Sequence, residues 1–191
     1  MTLTTKQYYA AISGLDRQFG RIIDYLKEND LYDDTLVILS ADHGDMMGSH
    51  GLMGKHVWYE ESIRIPFVVH VPGNDNRRCS TCIGSQDMMP TILGLLNCPI
   101  PDTVEGEDCQ RFIKGEEDEE RVSFICASPG RADFVEKFKK AGKDPAAYGW
   151  RGVRSKRYTY VIELGYDVIC KPKRYLYDNL QAVSYTHLRA H

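Results

Sequence analysis

What this sequence lacks narrows it first. No apolar run approaches the roughly 18 residues of a membrane-spanning helix, and the first six residues, Met1 to Lys6, contain no apolar signal core. Neither charge sign dominates: 24 Lys and Arg stand against 27 Asp and Glu, a net charge of −3. That excludes a global pull toward nucleic acid. No segment repeats, and the only low-complexity stretch is the acidic run Glu116 to Glu120, read as a solvated turn. The six cysteines include one C-x-x-C pair, Cys79 and Cys82, with no second pair at zinc spacing. Free thiols are the leading reading of that pair, with a local disulfide next and zinc last. What remains is 191 residues with 42% hydrophobic and 27% charged content, the profile of a globular domain able to bury a core.

The chain is organised around residues 35–55. Leu36 to Leu39 is a short apolar run bounded by turn residues, which reads as a buried strand typical of a parallel sheet. It drops into Asp42-His43-Gly44 and a loop with glycine at 44, 48, 51 and 54, closed by Lys55. In open α/β sheets the ligand site lies beyond the carboxyl ends of strands, where Asp42 and His43 stand. Gly44 is expected to allow the sharp bend that turns both side chains toward one cation. Carboxylate plus imidazole suits a divalent metal, and a lysine beside it suits a sulfate or phosphate.

Around this loop the periodicities predict an α/β domain. Tyr8, Ile12, Leu15, Phe19, Ile22 and Leu26 recur at helical spacing over about 4–29, with Thr4 or Thr5 as the cap. Ile63 to Val71 is a second strand whose pairing begins after Pro66. Ser85 to Leu96 is a helix capped by Ser85, with Met88, Met89, Ile92, Leu95 and Leu96 as its core face. Strand 121–127, basic helix 131–140, a hairpin over 150–164 and a strand over 174–178 follow.

His50 and His56 lie in or beside the loop. Each could transfer a proton to or contact a bound anion, or shape the loop through backbone hydrogen bonds. Trp58 and Tyr59 fit a pocket wall or the core. Glu60 and Glu61 read as surface charge or a bond into the loop, and His70 as a packed histidine.

The motif Asp42-His-Gly-Asp-x-x-Gly-x-His-Gly-Leu-x-Gly-Lys55, followed by Tyr59-Glu-Glu-Ser-Ile-Arg-Ile-Pro66, resembles the second half of a type I sulfatase of the alkaline phosphatase superfamily. The likeness continues at Asp87 to Leu93, Arg151 to Tyr160 and Leu176-Tyr177-Asp178. It implies a partial alkaline-phosphatase-like α/β sheet with flanking helices over 1–115. A small C-terminal antiparallel sheet with a helix would follow over 116–181. Residues 182–191 break the family pattern and read as a non-native tail, so His187 and His191 are set aside.

The resemblance makes Asp42 and His43 ligands of one divalent cation, usually calcium, with manganese or magnesium open. It makes Lys55 the sulfate contact. The family nucleophile is a formylglycine made from Cys or Ser in Cys/Ser-x-Pro-x-Arg, and no cysteine or serine here stands in that context. The nucleophile and the paired aspartates that complete the metal shell are expected upstream of Met1. The implied activity is sulfate-ester hydrolysis on a small molecule or carbohydrate. The rivals are a phosphodiesterase or phosphonate monoester hydrolase of the same superfamily, and a non-catalytic fragment. Substrate, oligomeric state and compartment, cytoplasmic or periplasmic, stay open.

Overall fold

A computed structural model describes residues 3–127 and 132–181. The expected tail over 182–191 and the start of the basic helix at Arg131 fall outside the described residues. By contact the chain divides into two compact units. The first draws on the described residues of 1–55 and 64–76, the second on those of 56–63 and 77–191.

In the first unit, helix α1 runs Leu3–Glu28. Thr4 and Thr5, expected before it as caps, lie inside its first turn. The helix ends where expected. Asp30 takes a left-handed φ of +56°, and the Leu31 N–H returns to the Leu26 carbonyl at 2.8 Å, the wrap that satisfies orphan carbonyls at a helix end. Strand β1, Val37–Ser40, pairs with β2, Phe67–His70, in a ladder that sets Val37 opposite His70 and Ser40 opposite Phe67.

That pairing is antiparallel, which corrects the parallel reading of these two runs. The register shows why. The chain leaves β1 at Ser40 and re-enters the ladder at Phe67, so the long excursion departs and returns at the same end. A parallel pair needs a crossover to the opposite end. Neither strand is fully buried: Leu39 and Val68, directly opposed, are both exposed. Pro66 immediately precedes the paired residues, as a residue without an N–H requires.

The second unit carries a four-stranded antiparallel sheet in the order β3 (Ser123–Ala127), β4 (Gly149–Arg154), β5 (Tyr158–Gly165), β6 (Lys173–Asp178). It also holds the single-turn helix α2 (Glu60–Ile63), α3 (Ser85–Leu95), the short α4 (Gln110–Lys114) and α5 (Ala132–Lys140). Its core is aromatic. Trp150, Val161 and Tyr177 are buried on the sheet, and Phe138 of α5 packs against buried Tyr148 with ring centroids 5.6 Å apart.

Helix α3 corrects the expected core face. Met89 is 50% and Leu96 51% exposed, whereas Asp87, Pro90 and Thr91 are buried. The cap is Gly84, not Ser85. The Asp87 carboxylate accepts the N–H groups of Gly84 and Glu107 and the Arg121 guanidinium, each at 3.0 Å, and Thr91 Oγ1 accepts the Cys109 N–H at 2.9 Å. A buried carboxylate is tolerated only when satisfied in this way. Gly106 makes the close approach possible: a Cβ there would stand 1.9 Å from the Gln86 carbonyl oxygen. That carbonyl faces Pro90, which has no N–H to offer it.

Candidate active site

The candidate site starts two residues beyond β1. The Asp42 carboxylate accepts the His43 backbone N–H at 3.0 Å, and its second oxygen lies 3.2 Å from His43 Nε2. On the other side of the ring, His43 Nδ1 is 2.7 Å from the Gly44 carbonyl. A carbonyl can only accept, so Nδ1 carries the proton and Nε2 offers its lone pair in the neutral ring. Lys55 Nζ donates to that same Nε2. Asp42, His43 and Lys55 therefore converge on one small space, all within the first unit.

The ammonium of Lys55 lies against the imidazole nitrogen, which is itself beside the Asp42 carboxylate. The donor chemistry fits a divalent cation, and the Nδ1–H held by a carbonyl is the outer-shell bond that orients metal-binding histidines. The set is two ligands. Among the described residues, no group of three or more His, Cys, Asp and Glu gathers as a metal site. Asp42 is 84% exposed at its side chain. Its carboxyl is held below the usual carboxylate range, first by the hydrogen bond from the His43 backbone N–H and further by the positive charge of Lys55.

The loop between these residues closes on itself. The Met46 N–H donates to the Gly54 carbonyl at 2.7 Å and the Gly48 N–H to the Leu52 carbonyl at 2.8 Å, while the Met46 side chain is buried. Gly48, Gly51 and Gly54 take φ of +95°, +72° and +75°, a conformation costly to residues with a Cβ. Gly44 is not among the left-handed glycines. Its contribution is the carbonyl that fixes the His43 ring, which corrects the bend assigned to it. His50 sits exposed at the loop's 3-10 turn, Ser49–Gly51, with a left-handed φ of +55°.

His56 belongs to the second unit. Its carbonyl accepts the Trp150 indole N–H at 2.8 Å. Trp58 and Tyr59 join an aromatic cluster: Trp58 lies 5.8 Å from Trp150 and 4.9 Å from Tyr175, and Tyr59 6.3 Å from Tyr177, between ring centroids. Glu60 is not a loose surface charge. Arg154 grips both its oxygens at 2.6 and 2.9 Å. His70 is packed, stacked on Tyr32 at 4.0 Å. All six cysteines are free thiols. Sequence reasoning missed Trp150 and Arg154. Each meets a partner 94 positions away, and no local spacing carries that information.

The sulfatase family model matches residues 4–98, a span that contains the whole Asp42, His43 and Lys55 cluster. The chain belongs to the sulfatase family. This sulfatase chain is 35% identical over 159 residues to an ulvan-active sulfatase of Formosa agariphila, covering 80% of this chain and 29% of that protein. Among solved structures it matches YidJ of Bacteroides fragilis, with a TM-score of 0.75 and 33% identity over 91% of this chain and 35% of that one. It also matches the phosphonate monoester hydrolase of Agrobacterium radiobacter, with a TM-score of 0.74 and 29% identity over 91% and 34%. The sulfatase chain thus spans about a third of the length of these relatives.

Proposed function

We propose that this chain is the part of a sulfuric ester hydrolase that supplies half of the metal shell and the sulfate-binding lysine. Asp42 and His43 Nε2 would hold one divalent cation, with calcium favoured by hard oxygen ligation and manganese or magnesium as the alternatives. Such a cation, when bound, draws electron density from a sulfate oxygen. Lys55 would neutralise a second oxygen as charge builds in the transition state. His43 is kept in the ligating tautomer by its bond to Gly44. His50 and His56 are the further substrate contacts. The nucleophile, a formylglycine, and the remaining metal ligands come from sequence outside this chain. The division at residue 115 into a catalytic portion and a small C-terminal subdomain belongs to the same reading.

One observation carries the proposal: a carboxylate, an imidazole lone pair and an ammonium meet in one place at the end of a strand. The substrate is a sulfate ester of a small molecule or a carbohydrate, and the ulvan-active relative's name favours the carbohydrate. The neighbouring phosphonate monoester hydrolase supports a second reading, because the same cation and lysine suit phosphoryl oxygens.

The test is a polypeptide of the relatives' length carrying this segment, assayed on an aryl sulfate and an aryl phosphonate, with and without chelator. We expect sulfate turnover to exceed phosphonate turnover and to vanish on chelation. Full activity after chelation removes the metal role, and faster phosphonate turnover moves the assignment to the second reading.

A further inference from the structure

The motif from Asp42 to Lys55 holds two carboxylates, and the site described above uses only the first. The second, Asp45, is half-buried and turned back on its own chain: its Oδ1 accepts the Met47 N–H at 2.9 Å. It does not join Asp42 and His43 as a third ligand, since among the described residues no group of three metal-binding side chains forms.

The residue that Asp45 holds is strained. Met47 takes a φ of +46°, in the left-handed region that crowds the Cβ of every residue but glycine. Such a conformation persists only where the surroundings over-determine it. Here they are local. A short carboxylate that caps the N–H two residues on fixes a tight turn. The adjoining Met46 is buried, and both its backbone groups are bonded: its N–H to the Gly54 carbonyl and its carbonyl to the Ser49 N–H, each at 2.7 Å.

Met47 stands between the two bonds that cross the loop, Met46 to Gly54 and Gly48 to Leu52. A change in its backbone angles would break one or the other. The first of these is the neck of the loop. It returns Gly54, and with it Lys55, to the residues that directly follow His43. Lysine carries its charge on a flexible four-carbon stem, so the place of that charge depends on where the stem is rooted. Rooted here, the Lys55 ammonium reaches His43 Nε2 across twelve positions of sequence. All of these residues belong to the first unit.

We propose that Asp45 is the positioning residue of Lys55. By holding Met47 left-handed it keeps the neck of the loop closed and the ammonium beside His43. The glycine-spaced loop is then a clamp that aims the lysine. This rests on the sulfate-ester reading above.

The test is made in a polypeptide of the relatives' length carrying this segment, assayed on an aryl sulfate at saturating cation. Asp45→Ala is expected to lower kcat about tenfold with KM within about threefold, the signature of an interaction made in the transition state. Asp45→Asn keeps a side-chain carbonyl that accepts the same N–H, and holds kcat within about threefold of the unsubstituted protein. In the Lys55→Ala background, Asp45→Ala adds less than about twofold, because residues acting through one another are not additive. Multiplying effects, or an Asn variant no better than Ala, overturn the proposal. Cation affinity, measured by isothermal titration, stays within about threefold in Asp45→Ala; a larger loss places Asp45 in or directly behind the metal shell and overturns it too.

Met47→Gly guards against a folding explanation. Glycine takes the left-handed φ at no steric cost, so adding it to Asp45→Ala recovers kcat by about threefold or more. An unrecovered kcat removes Met47 from the chain of contacts, and the proposal with it. Unchanged sulfate-ester turnover in Asp45→Ala sinks this inference alone. Absence of any ester turnover in the unsubstituted polypeptide sinks it together with the reading beneath it.

Discussion

On the proposed reading, Lys55 is the residue on which the chemistry turns. Its ammonium bonds to the lone pair of His43, and the ring is fixed by Gly44 from behind. Removing a preorganised charge aimed at a developing anion typically costs about 10²–10³-fold in rate. Lys55→Ala in a polypeptide of the relatives' length is expected to lower kcat by that factor. Metal affinity, measured by isothermal titration, should not fall with it, because the ammonium competes for the ligating nitrogen. His43→Ala should lose both. A loss of metal affinity in Lys55→Ala would place the lysine in the shell rather than beside it.

Glu60 is a different case at the same scale. Breaking one partner of a largely buried, two-pronged ion pair leaves an uncompensated charge. Glu60→Ala should destabilise the chain by about 2–4 kcal/mol in a urea titration, more than any neutral surface change. A loss under about 0.5 kcal/mol would show that Arg154 finds water or another partner. The tyrosines of β6 extend the argument to pH. Burial, followed by the Glu163 hydrogen bond, pushes Tyr175 up to about 12, and burial pushes Tyr177 up to about 12. Unfolded tyrosine titrates near 10. The folded state holds both protons more tightly, so this stabilisation is complete below about pH 10 and is lost as pH rises through about 12. Circular dichroism should fall as the phenolate absorbance of these two tyrosines rises across that window. Loss of the Tyr175 and Tyr177 protons near pH 10 with the fold intact, read from their own ring resonances, would contradict the burial.

Among the elements, what the sequence disclosed was local. The period of α1, the Pro66 boundary of β2, the hairpin of β4 and β5 and the strand β6 were all legible, because a 3.6 or 2.0 repeat and a turn residue are written within a few positions. The convergence of Asp42, His43 and Lys55 was legible for the same reason, since the loop that joins them is glycine-spaced. The face of α3 was not. Periodicity counts apolar side chains, and α3 buries Asp87 and Thr91 instead because residues 106–109 lie against it and supply donors. Nor could periodicity reveal the antiparallel return of β2 or the grip of Arg154 on Glu60, which depend on partners far along the chain. Asp87 yields its own prediction. It satisfies two backbone N–H groups and a guanidinium at once, so Asp87→Ala should cost about 3–5 kcal/mol and Asp87→Asn distinctly less, by urea titration. Equal losses would show that the charge contributes nothing beyond the hydrogen bonds.

For the molecule as a whole, burial is divided unevenly between the two units. In the first, Met46 is the one buried side chain among the described residues, and α1 buries none, with Leu15 70% and Ile22 56% exposed along its apolar stripe. In the second, Trp150, Val161, Tyr177, Phe112, Phe138 and Tyr148 are all buried. Helix stability in proteins comes mainly from packing of the apolar face rather than from propensity, so α1 has little to oppose its local opening. Segments with few buried contacts open at small free-energy cost, while core strands open only near the global unfolding cost. Native-state hydrogen exchange of the 191-residue chain should therefore show α1 amides exchanging orders of magnitude faster than those of β4 and β5. The stripe along α1 should also bind a hydrophobic dye, with Leu15→Lys and Ile22→Lys together reducing that signal. In a polypeptide of the relatives' length, about three times that of this chain, the α1 amides should become protected and the dye signal should fall. Equal protection of α1 and β5 in the 191-residue chain would mean that the first unit folds on its own, with its apolar stripe covered by a contact the described residues do not contain.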